Sequence, residues 1–369
     1  MTEYTNKKYL KVLHLDDSSC WRGGQQQTIY LFKGMLKRKF DTLLICQPDS
    51  EYIKICDNEN LPCQTLSIRG EWDLFAGYKI GRICKNGGFN IIHAHSAHAL
   101  STAIQAKIFY RSVKVIASRR VDFSIRKNPF SIHKYNNRFV NKIICISEKI
   151  RKVMLNDGID EHKLITIHDG IDIRKFDHIK PPQFFRKNWQ IPQNHILVGT
   201  VAAITGEKDY PNLLKAAKIV IDRLPNVTFM AAGNGKDENS IKIMAKQLNL
   251  ENRFIFTGFQ KNIGDFLKSF DIFVLASKKE GLGTSVLDAL AAGLPVIGTE
   301  TGGIPEMITH NENGMLVKPQ NPQALADTII ELAKDKAKRE MLIKKGIISV
   351  ERFSINNTIE KTIALYESI

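Results

Sequence analysis

The chain has 369 residues, 43% of them hydrophobic and 25% charged, with 53 Lys+Arg against 38 Asp+Glu for a net charge of +15. That balance excludes a disordered, collagen-like or coiled-coil chain, and the length suggests two domains, each with a full core. The positive excess calls for an anionic partner: nucleic acid, an anionic membrane face or a phosphorylated substrate.

The first residues, MTEYTNKKYLKVLHLDD, are broken by Lys7, Lys8 and Lys11 and hold no apolar stretch of signal-peptide length. No run approaches the roughly 18 apolar residues that span a bilayer. Short apolar runs at Leu10–Leu15, Thr42–Cys46, Asn90–His93, Val113–Ala117, Lys142–Ile146 and Leu164–Ile167 read as strands. Amphipathic stretches at Gln25–Arg38, Ala97–Tyr110 and Glu148–Asn156 read as helices between them. Residues 177–193, DHIKPPQFFRKNWQIPQ, carry Pro181, Pro182 and Pro192, which argue against a continuous helix or central strand and mark a linker. Beyond it, strands are expected at Ile196–Ala202, Val227–Ala231, Arg253–Phe256, Ile272–Leu275, Pro295–Gly298 and Met315–Val317. Helices are expected at Asn212–Leu224, Ser240–Leu248, Ser285–Ala292 and Gln323–Ala333. This alternation means βαβ units and mostly parallel sheets. The expected organisation is a first domain over 1–180, a linker over 181–194 and a second domain over 195–350. A final helix over 351–369 is expected to pack back on the first domain. Two doubly wound domains so joined place a cleft between two sets of strand carboxyl ends, where open α/β sheets bind ligands.

Charge and cysteine are unevenly spread. Residues 1–180 hold 30 basic and 18 acidic residues; residues 181–369 hold 23 and 20. The stretch 107–152 has 13 basic residues against Asp122 and Glu148 alone. The six cysteines (Cys20, Cys46, Cys56, Cys63, Cys84, Cys145) all lie in the first half without a C-x-x-C pair, as expected for reduced cytoplasmic thiols in or near a core.

Several motifs carry chemistry. In HLDDSSCWRGGQQQ, Gly23 and Gly24 would let backbone approach a phosphate or acceptor, or would simply turn the chain into the next helix. IIHAHSAHAL points His93 and His95 to one side of a strand end. H-x-H spacing suits a metal, yet no acidic or Cys partner lies nearby. His95 and His98 are read as site residues, with a hydrogen-bonded structural histidine as the plain alternative for each. VIASRRVDFS ends a strand with Arg119 and Arg120, cations suited to a phosphate or carboxylate. Asp16 and Asp17 are adjacent, not the Asp-x-Asp of a metal-dependent GT-A transferase; one of them is expected to face the cleft. In the second half, SKKEGLGTSVLDALAAGLPVIGTETGGIPEMI sets Glu280 at a strand's carboxyl end, with Gly281 and Gly283 in the turn. Thr284 and Ser285 are N-cap types for the helix that follows, and Asp288 lies eight residues beyond Glu280. A Gly-rich turn running into a helix N-terminus binds anions through free N–H groups and the helix dipole.

This last segment resembles the signature of glycosyltransferase family 4, the retaining group 1 transferases. GTVAAITGEKDYPNLLKAA and AAGNGK extend the likeness through the second half, and the Gly-Gly loop, CISEKIRKVMLNDGI and TIHDGIDIRKF through the first. The resemblance implies an α/β fold of GT-B type: two Rossmann-like doubly wound domains with a cleft between them. It implies that Glu280 contacts donor-sugar hydroxyls and that Asp288, where Glu is commoner, holds the nucleotide ribose. Backbone at Gly281, Leu282, Gly283, Thr284 and Ser285 would meet the diphosphate, and Gly302 and Gly303 would border the donor pocket. Gly233 and Gly235 would pass near the base. Lys208 would neutralise the diphosphate, with Ala203 where many members carry Arg. In the first half Asp169 stands where Asn is common, and Ser118, Arg119 and Arg120 stand where many members place a His.

The implied reaction transfers a sugar from a nucleoside-diphosphate donor to a saccharide or glycolipid acceptor with its configuration retained. It needs no metal or other cofactor, and it would serve cell-surface polysaccharide or lipopolysaccharide assembly. A nucleotide-sugar epimerase on the same fold is the alternative. A nucleic-acid-binding protein is suggested by charge alone, without a helix-turn-helix, RNP-like or zinc pattern. Phe123, Phe130 and Tyr135, interleaved with Arg119, Arg120, Arg126, Lys127 and Lys134, are expected to dock an otherwise cytoplasmic protein on an anionic leaflet. A solvated basic face over buried aromatics is the alternative.

Overall fold

The computed structural model describes residues 10–176, 182–260 and 262–369. Lys7, Lys8 and the first part of the expected linker, through Pro181, lie outside the described residues. The chain divides into two units, Met1–Gly170 with Ile355–Ile369, and Ile171–Ser354.

Unit 1 runs β1 (Lys11–Asp16), α1 (Gly23–Lys37), β2 (Asp41–Cys46), α2 (Glu51–Glu59), β3 (Cys63–Thr65), α3 (Leu74–Gly87), β4 (Ile91–Ala94) and α4 (Ala97–Phe109). It continues through β5 (Lys114–Arg119), α5 (Pro129–Asn136), β6 (Val140–Cys145), α6 (Glu148–Asn156) and β7 (Leu164–Thr166). Its seven strands pair in parallel in the order β3-β2-β1-β4-β5-β6-β7. Strand order therefore reverses between β1 and β4. Val12, Leu13, Leu15, Ile92 and Ile116 are fully covered, as both faces of a helix-flanked parallel sheet require. Side chains cap the helices that lead from the carboxyl edge: Asp73 accepts from Ala76 N on α3, and Ser96 accepts from Ala99 N on α4.

The sequence pattern does not predict β3, α2, α3 or α5. α3 was hidden by Gly77 and Gly81, poor helix formers. Their use is close packing on α4: a Cβ on Gly77 would lie 2.5 Å from that of Gln105, and one on Gly81 would lie 3.0 Å from the Ala106 carbonyl.

Unit 2 contains α7 (Pro182–Asn188), β8 (Ile196–Val201), α8 (Tyr210–Arg223), β9 (Val227–Ala232), α9 (Glu238–Gln247), β10 (Phe254–Phe256), α10 (Ile263–Ser269) and β11 (Ile272–Leu275). Then come α11 (Thr284–Ala291), β12 (Val296–Thr299), α12 (Ile304–Met307), β13 (Met315–Val317), α13 (Pro322–Lys334) and α14 (Lys336–Val350). Its parallel sheet has the order β10-β9-β8-β11-β12-β13, reversing between β8 and β11.

The expected linker is partly helical. α7 starts at its proline, a tolerated first helical position. It is fastened to unit 2 by the Phe185 ring, edge-on to Phe266 at 4.3 Å, and by Arg186 on Asp271 at 2.6 Å. The division between units falls after Gly170 rather than at 180, because Ile171 N donates to Phe353 O at 3.0 Å and so pairs with unit 2. The last helix, α15 (Ile355–Glu367), sends Ile359, Ile363, Leu365 and Tyr366 into the core of unit 1. Cys46, Cys56, Cys84 and Cys145 are buried, Cys63 is partly covered and Cys20 is exposed. Among the described residues no helix is long and apolar enough to cross a membrane.

Candidate functional site

In unit 2 the informative residues sit on the loops beyond β8 and β11, the adjacent strands at which order reverses. Such points open a crevice for ligands. The loop after β8 makes a single 3-10 turn over Gly206–Lys208, and Asp209 leaves it in the left-handed region at φ 50°. The carbonyl of Glu207 accepts from the amides of Lys278 and Lys279, which zips this turn to the loop after β11. Lys208 Nζ consequently pairs with Glu280 Oε2, which also accepts from Ser277 Oγ at 3.1 Å. Both charged side chains are half-buried.

Glycine makes the Glu280 turn possible. Gly283 has φ +91° and serves as the N-cap of α11 without a side-chain cap. Thr284 and Ser285, expected as the cap, are the first two helical residues instead. Val286 N is held by the Gly283 carbonyl at 2.9 Å, and no side chain caps the amides of Thr284 and Ser285 ahead of it. Gly302 has φ +55°, and a Cβ there would lie 1.7 Å from the Glu280 carbonyl. Gly303 N donates to Gly281 O at 3.1 Å, so the two glycine loops stack backbone on backbone. Leu282 is buried as a whole residue, packed against Gly303. Gly233 and Gly235 back onto the carbonyls of Ala202 and Ile204, closing the ends of β8 and β9.

Asp288 lies one turn into α11, buried, with Lys175 Nζ 2.6 Å from Oδ1. Burial raises its pKa and the ammonium of Lys175 opposes that shift. The sequence reading did not find Lys175, because nothing local ties residue 175 to residue 288.

In unit 1 the corresponding point lies between β1 and β4. Gly23 and Gly24 open α1 behind the N-cap Arg22. Gly24 faces Arg120, whose Cδ would lie 3.2 Å from an added Cβ. Arg120 Nη1 reaches His95 Nδ1 at 3.5 Å and the His95 carbonyl at 3.4 Å, while its Nε lies 3.5 Å from the buried Asp169. Burial raises the pKa of Asp169 and Arg120 counters it.

Arg119 goes elsewhere. It is buried, with Nη2 on the Phe123 carbonyl at 2.8 Å and its guanidinium over the Phe123 and Tyr135 rings. Of the two arginines, Arg120 therefore faces the reversal point, and Arg119 holds the loop after β5. Tyr135 is buried as well, which removes it and Arg119 from the expected docking face.

His95 is buried and belongs to a group that the sequence reading only partly anticipated. His14 Nδ1 and His95 Nε2 are 2.9 Å apart with stacked rings. His93 bonds Tyr366 Oη at 2.5 Å and Ser118 Oγ at 2.8 Å. Burial pushes the pKa of His14 down to about 3 and those of His93 and His95 well below the usual range, with Arg120 adding to the last two. All three are neutral near pH 7. Because the guanidinium can only donate, His95 accepts at Nδ1 and donates from Nε2 to His14. His14 then carries its proton on Nε2, a buried nitrogen without a hydrogen-bond partner. One ring nitrogen from each histidine lies within 4.8 Å of the others. Their existing hydrogen bonds and the adjacent guanidinium favour a neutral network over a cation site. A polar residue inside the apolar run Leu10–Leu15 was the available signal for His14. Tyr366, 273 positions from His93, left none.

His98 stands apart, exposed at the start of α4, with Nδ1 3.0 Å from Asp17 and Nε2 3.8 Å from Glu71. Ser96 Oγ also donates to Asp17. Asp16 is buried against Tyr52 Oη at 2.7 Å, and burial raises its pKa. Asp17 is accordingly the more accessible of the adjacent acids.

The family described as "Glycosyl transferases group 1" matches residues 182–348, and the one described as "Glycosyltransferase Family 4" matches residues 21–175. The N-acetyl-alpha-D-glucosaminyl L-malate synthase of Bacillus anthracis is 26% identical over 81% of this chain and 78% of its own length. The UDP-Gal:alpha-D-GlcNAc-diphosphoundecaprenol alpha-1,3-galactosyltransferase of Escherichia coli is 24% identical over 97% of this chain and 96% of its own. The crystal structure of Anabaena HepE in complex with UDP and glucose superposes with a TM-score of 0.86 at 21% identity, covering 98% of this chain and 100% of that one.

Proposed function

The chain belongs to the family 4, group 1 glycosyltransferases of the GT-B fold, and we propose that it moves a sugar from a nucleoside-diphosphate sugar to a glycolipid or saccharide acceptor with retention of configuration. The observation that carries the donor assignment is the Lys208–Glu280 pair beside the uncapped start of α11. A departing diphosphate concentrates negative charge. Lys208 can exchange its carboxylate partner for that diphosphate, and the first amides of α11 donate to it. The exchange frees Glu280 to accept hydrogen bonds from sugar hydroxyls. Gly302 and Gly303 let their loop stack on the Glu280 turn at the border of the donor pocket, and Asp288, whose upward shift Lys175 opposes, accepts from the ribose. These groups supply the leaving-group stabilisation without a metal.

In unit 1, Arg120 is assigned to a phosphate or carboxylate of the acceptor, held by the neutral His95 and by Asp169. His98 and the Gly23–Gly24 backbone border the same position. The lipid-diphosphate acceptor in the name of the Escherichia coli relative supports a glycolipid acceptor here. The corresponding setting is the cytoplasmic face of a membrane, in cell-surface polysaccharide or lipopolysaccharide assembly.

The test is a thermal-shift panel of sugar nucleotides, followed by transfer to a polyprenyl-diphosphate-linked sugar. The expected result is one stabilising donor and a product whose anomeric proton coupling matches that of the donor. Formation of an epimerised sugar nucleotide, with no transfer to any saccharide or glycolipid, would replace this reading with the epimerase.

A further inference from the structure

Unit 1 exposes large aromatic side chains where a soluble surface normally would not. Trp72 is 80% exposed, Phe75 64% and Phe130 75%, with Leu74, Tyr78 and Phe123 also exposed. Among the described residues of unit 2, Phe259 is the only exposed large aromatic. Phe109, exposed at the far end of α4, packs on Tyr78, and the most exposed of the set are grouped. Trp72, Leu74 and Phe75 follow β3, while Phe123 and Phe130 follow β5. In a parallel sheet both loops leave the same carboxyl edge, the edge that bears Gly24, His98 and Arg120. The two stretches touch: Lys134 on α5 bonds Glu71 at 2.7 Å and the Ala97 carbonyl at 3.2 Å. Phe130 lies one helical turn before Lys134, on the same side of α5, and Glu71 immediately precedes Trp72.

The charges around these rings are sorted by sign. Arg69, Lys79, Arg82, Arg126 and Lys127 are exposed. Lys79 lies 4.5 Å from the centre of the Phe75 ring, so cation and ring share one face. The acids are partly exposed, with Glu71 and Asp73 engaged by neighbours and Asp122 beside Phe123. Glu71 is held by Lys134, and the two oxygens of Asp73 accept from the amides of Ala76 and Arg69. The outward face is therefore mainly aromatic and cationic. Aromatic rings settle at a headgroup boundary, and Lys or Arg adds about 1 kcal/mol each near an anionic leaflet.

We propose that this rim, centred on Trp72, Phe75 and Phe130, docks unit 1 on an anionic lipid bilayer with the carboxyl edge of its sheet toward the headgroups. The inference extends the glycolipid reading of the acceptor, but it is measured without donor or acceptor. The full chain is sedimented with vesicles of phosphatidylcholine alone and of phosphatidylcholine mixed with phosphatidylglycerol, at low and high salt.

Binding is expected to the mixed vesicles, weakening with salt, with a blue shift of tryptophan emission that Trp72→Phe removes. Each of two multiple variants, W72A/F75A/F130A and R126E/K127E, is expected to lower the partition coefficient about tenfold or more. Equal binding to neutral and mixed vesicles, or unaltered binding by the aromatic variant, overturns the proposal. So does a concentration-dependent dimer that W72A/F75A/F130A dissolves, which would give the face to a second copy. All the substituted side chains are exposed, so the variants should fold; an unchanged thermal shift with the sugar nucleotide confirms this. If the wild-type chain binds vesicles but no sugar nucleotide, the donor reading fails and the docking surface stands.

Discussion

Unit 2 sets ions at its reversal point: Lys208 and Glu280 half-buried on facing loops, with the Lys175–Asp288 pair covered to a similar degree at α11. Unit 1, with the same parallel topology, backs its own reversal point with three neutral histidines and brings Arg120 against them. The difference is one of task. In unit 2 each charge has an opposite charge as its direct partner, one that a diphosphate can replace. In unit 1 the cation assigned to an acceptor anion is oriented by neutral, hydrogen-bonded rings and by Asp169, where a misplaced charge would be costly. The net positive surplus of residues 1–180 lies mostly outside this histidine group, with exposed cations on the rim of unit 1.

The largest expected effect lies in unit 2. Lys208→Ala and Glu280→Ala should each lower turnover about 10²–10³-fold, the scale for losing one group that stabilises developing charge. Vesicle binding by unit 1 should not change. Near wild-type turnover in both folded variants would erase the contrast, because unit 2 would then have no chemistry of its own.

Next comes the pair that holds the unit 1 cation. Arg120→Ala leaves Asp169 buried beside no counter-charge and should cost about 3–5 kcal/mol of stability, measured by urea unfolding. Adding Asp169→Asn should recover part of that loss. A cost below 1 kcal/mol, on the order seen at exposed pairs, would place Arg120 at the surface with the other basic residues.

The three histidines concentrate a pH signature in unit 1; in unit 2 burial lowers the pKa of His195 as well. Their folded pKa values lie below the unfolded value of 6.5, so the unfolded chain takes up protons first as pH falls. Their contribution is fully present above about pH 6.5 and fades below it, over a window that reaches about 3 for His14. Within the window the slope is about 1.4 kcal/mol per pH unit for each neutral histidine. Asp16 and Asp169 act oppositely above pH 3.8, since their raised folded values retain protons that the unfolded chain releases. Urea midpoints between pH 4 and 7 should therefore rise with pH, and His14→Asn should flatten the rise. A flat wild-type profile would mean that the group is solvated. The smallest effect expected is that of Tyr366→Phe, about 1–2 kcal/mol for one lost buried hydrogen bond to His93.

The two sites were not equally legible in the sequence. The Glu280 turn and Asp288 lie within nine residues on one strand–turn–helix, so local patterning placed them close to where they are found. Most second-unit strands fell within a residue or two of their observed ends for the same reason: short apolar runs bounded by glycine or proline. In unit 1 the decisive contacts are long-range. His14 meets His95 across 81 positions, and Arg120 meets Asp169 through a sheet order that no local motif encodes. Adjacent residues on a strand point to opposite faces. Arg119 and Arg120 could therefore be expected to diverge, but which one faced the site depended on where α5 packed. The aromatic rim was only half visible: Phe123 and Phe130 stood out among basic residues, while Trp72 and Phe75 introduce a helix disguised by its glycines.

The placement of α15 has a consequence for how the protein is made. Ile359, Ile363, Leu365 and Tyr366 complete the core of unit 1, and they are translated after every residue of unit 2. On a ribosome adding roughly 5–20 residues per second, the usual order of domain-by-domain folding is inverted here. The second unit has all of its parts first, while the first must wait, with a partly open sheet, for the final helix. During that interval His93 has no Tyr366 to bond and the apolar face of α1 is uncovered. Unit 1 is therefore the part of the nascent chain for which a chaperone would matter most.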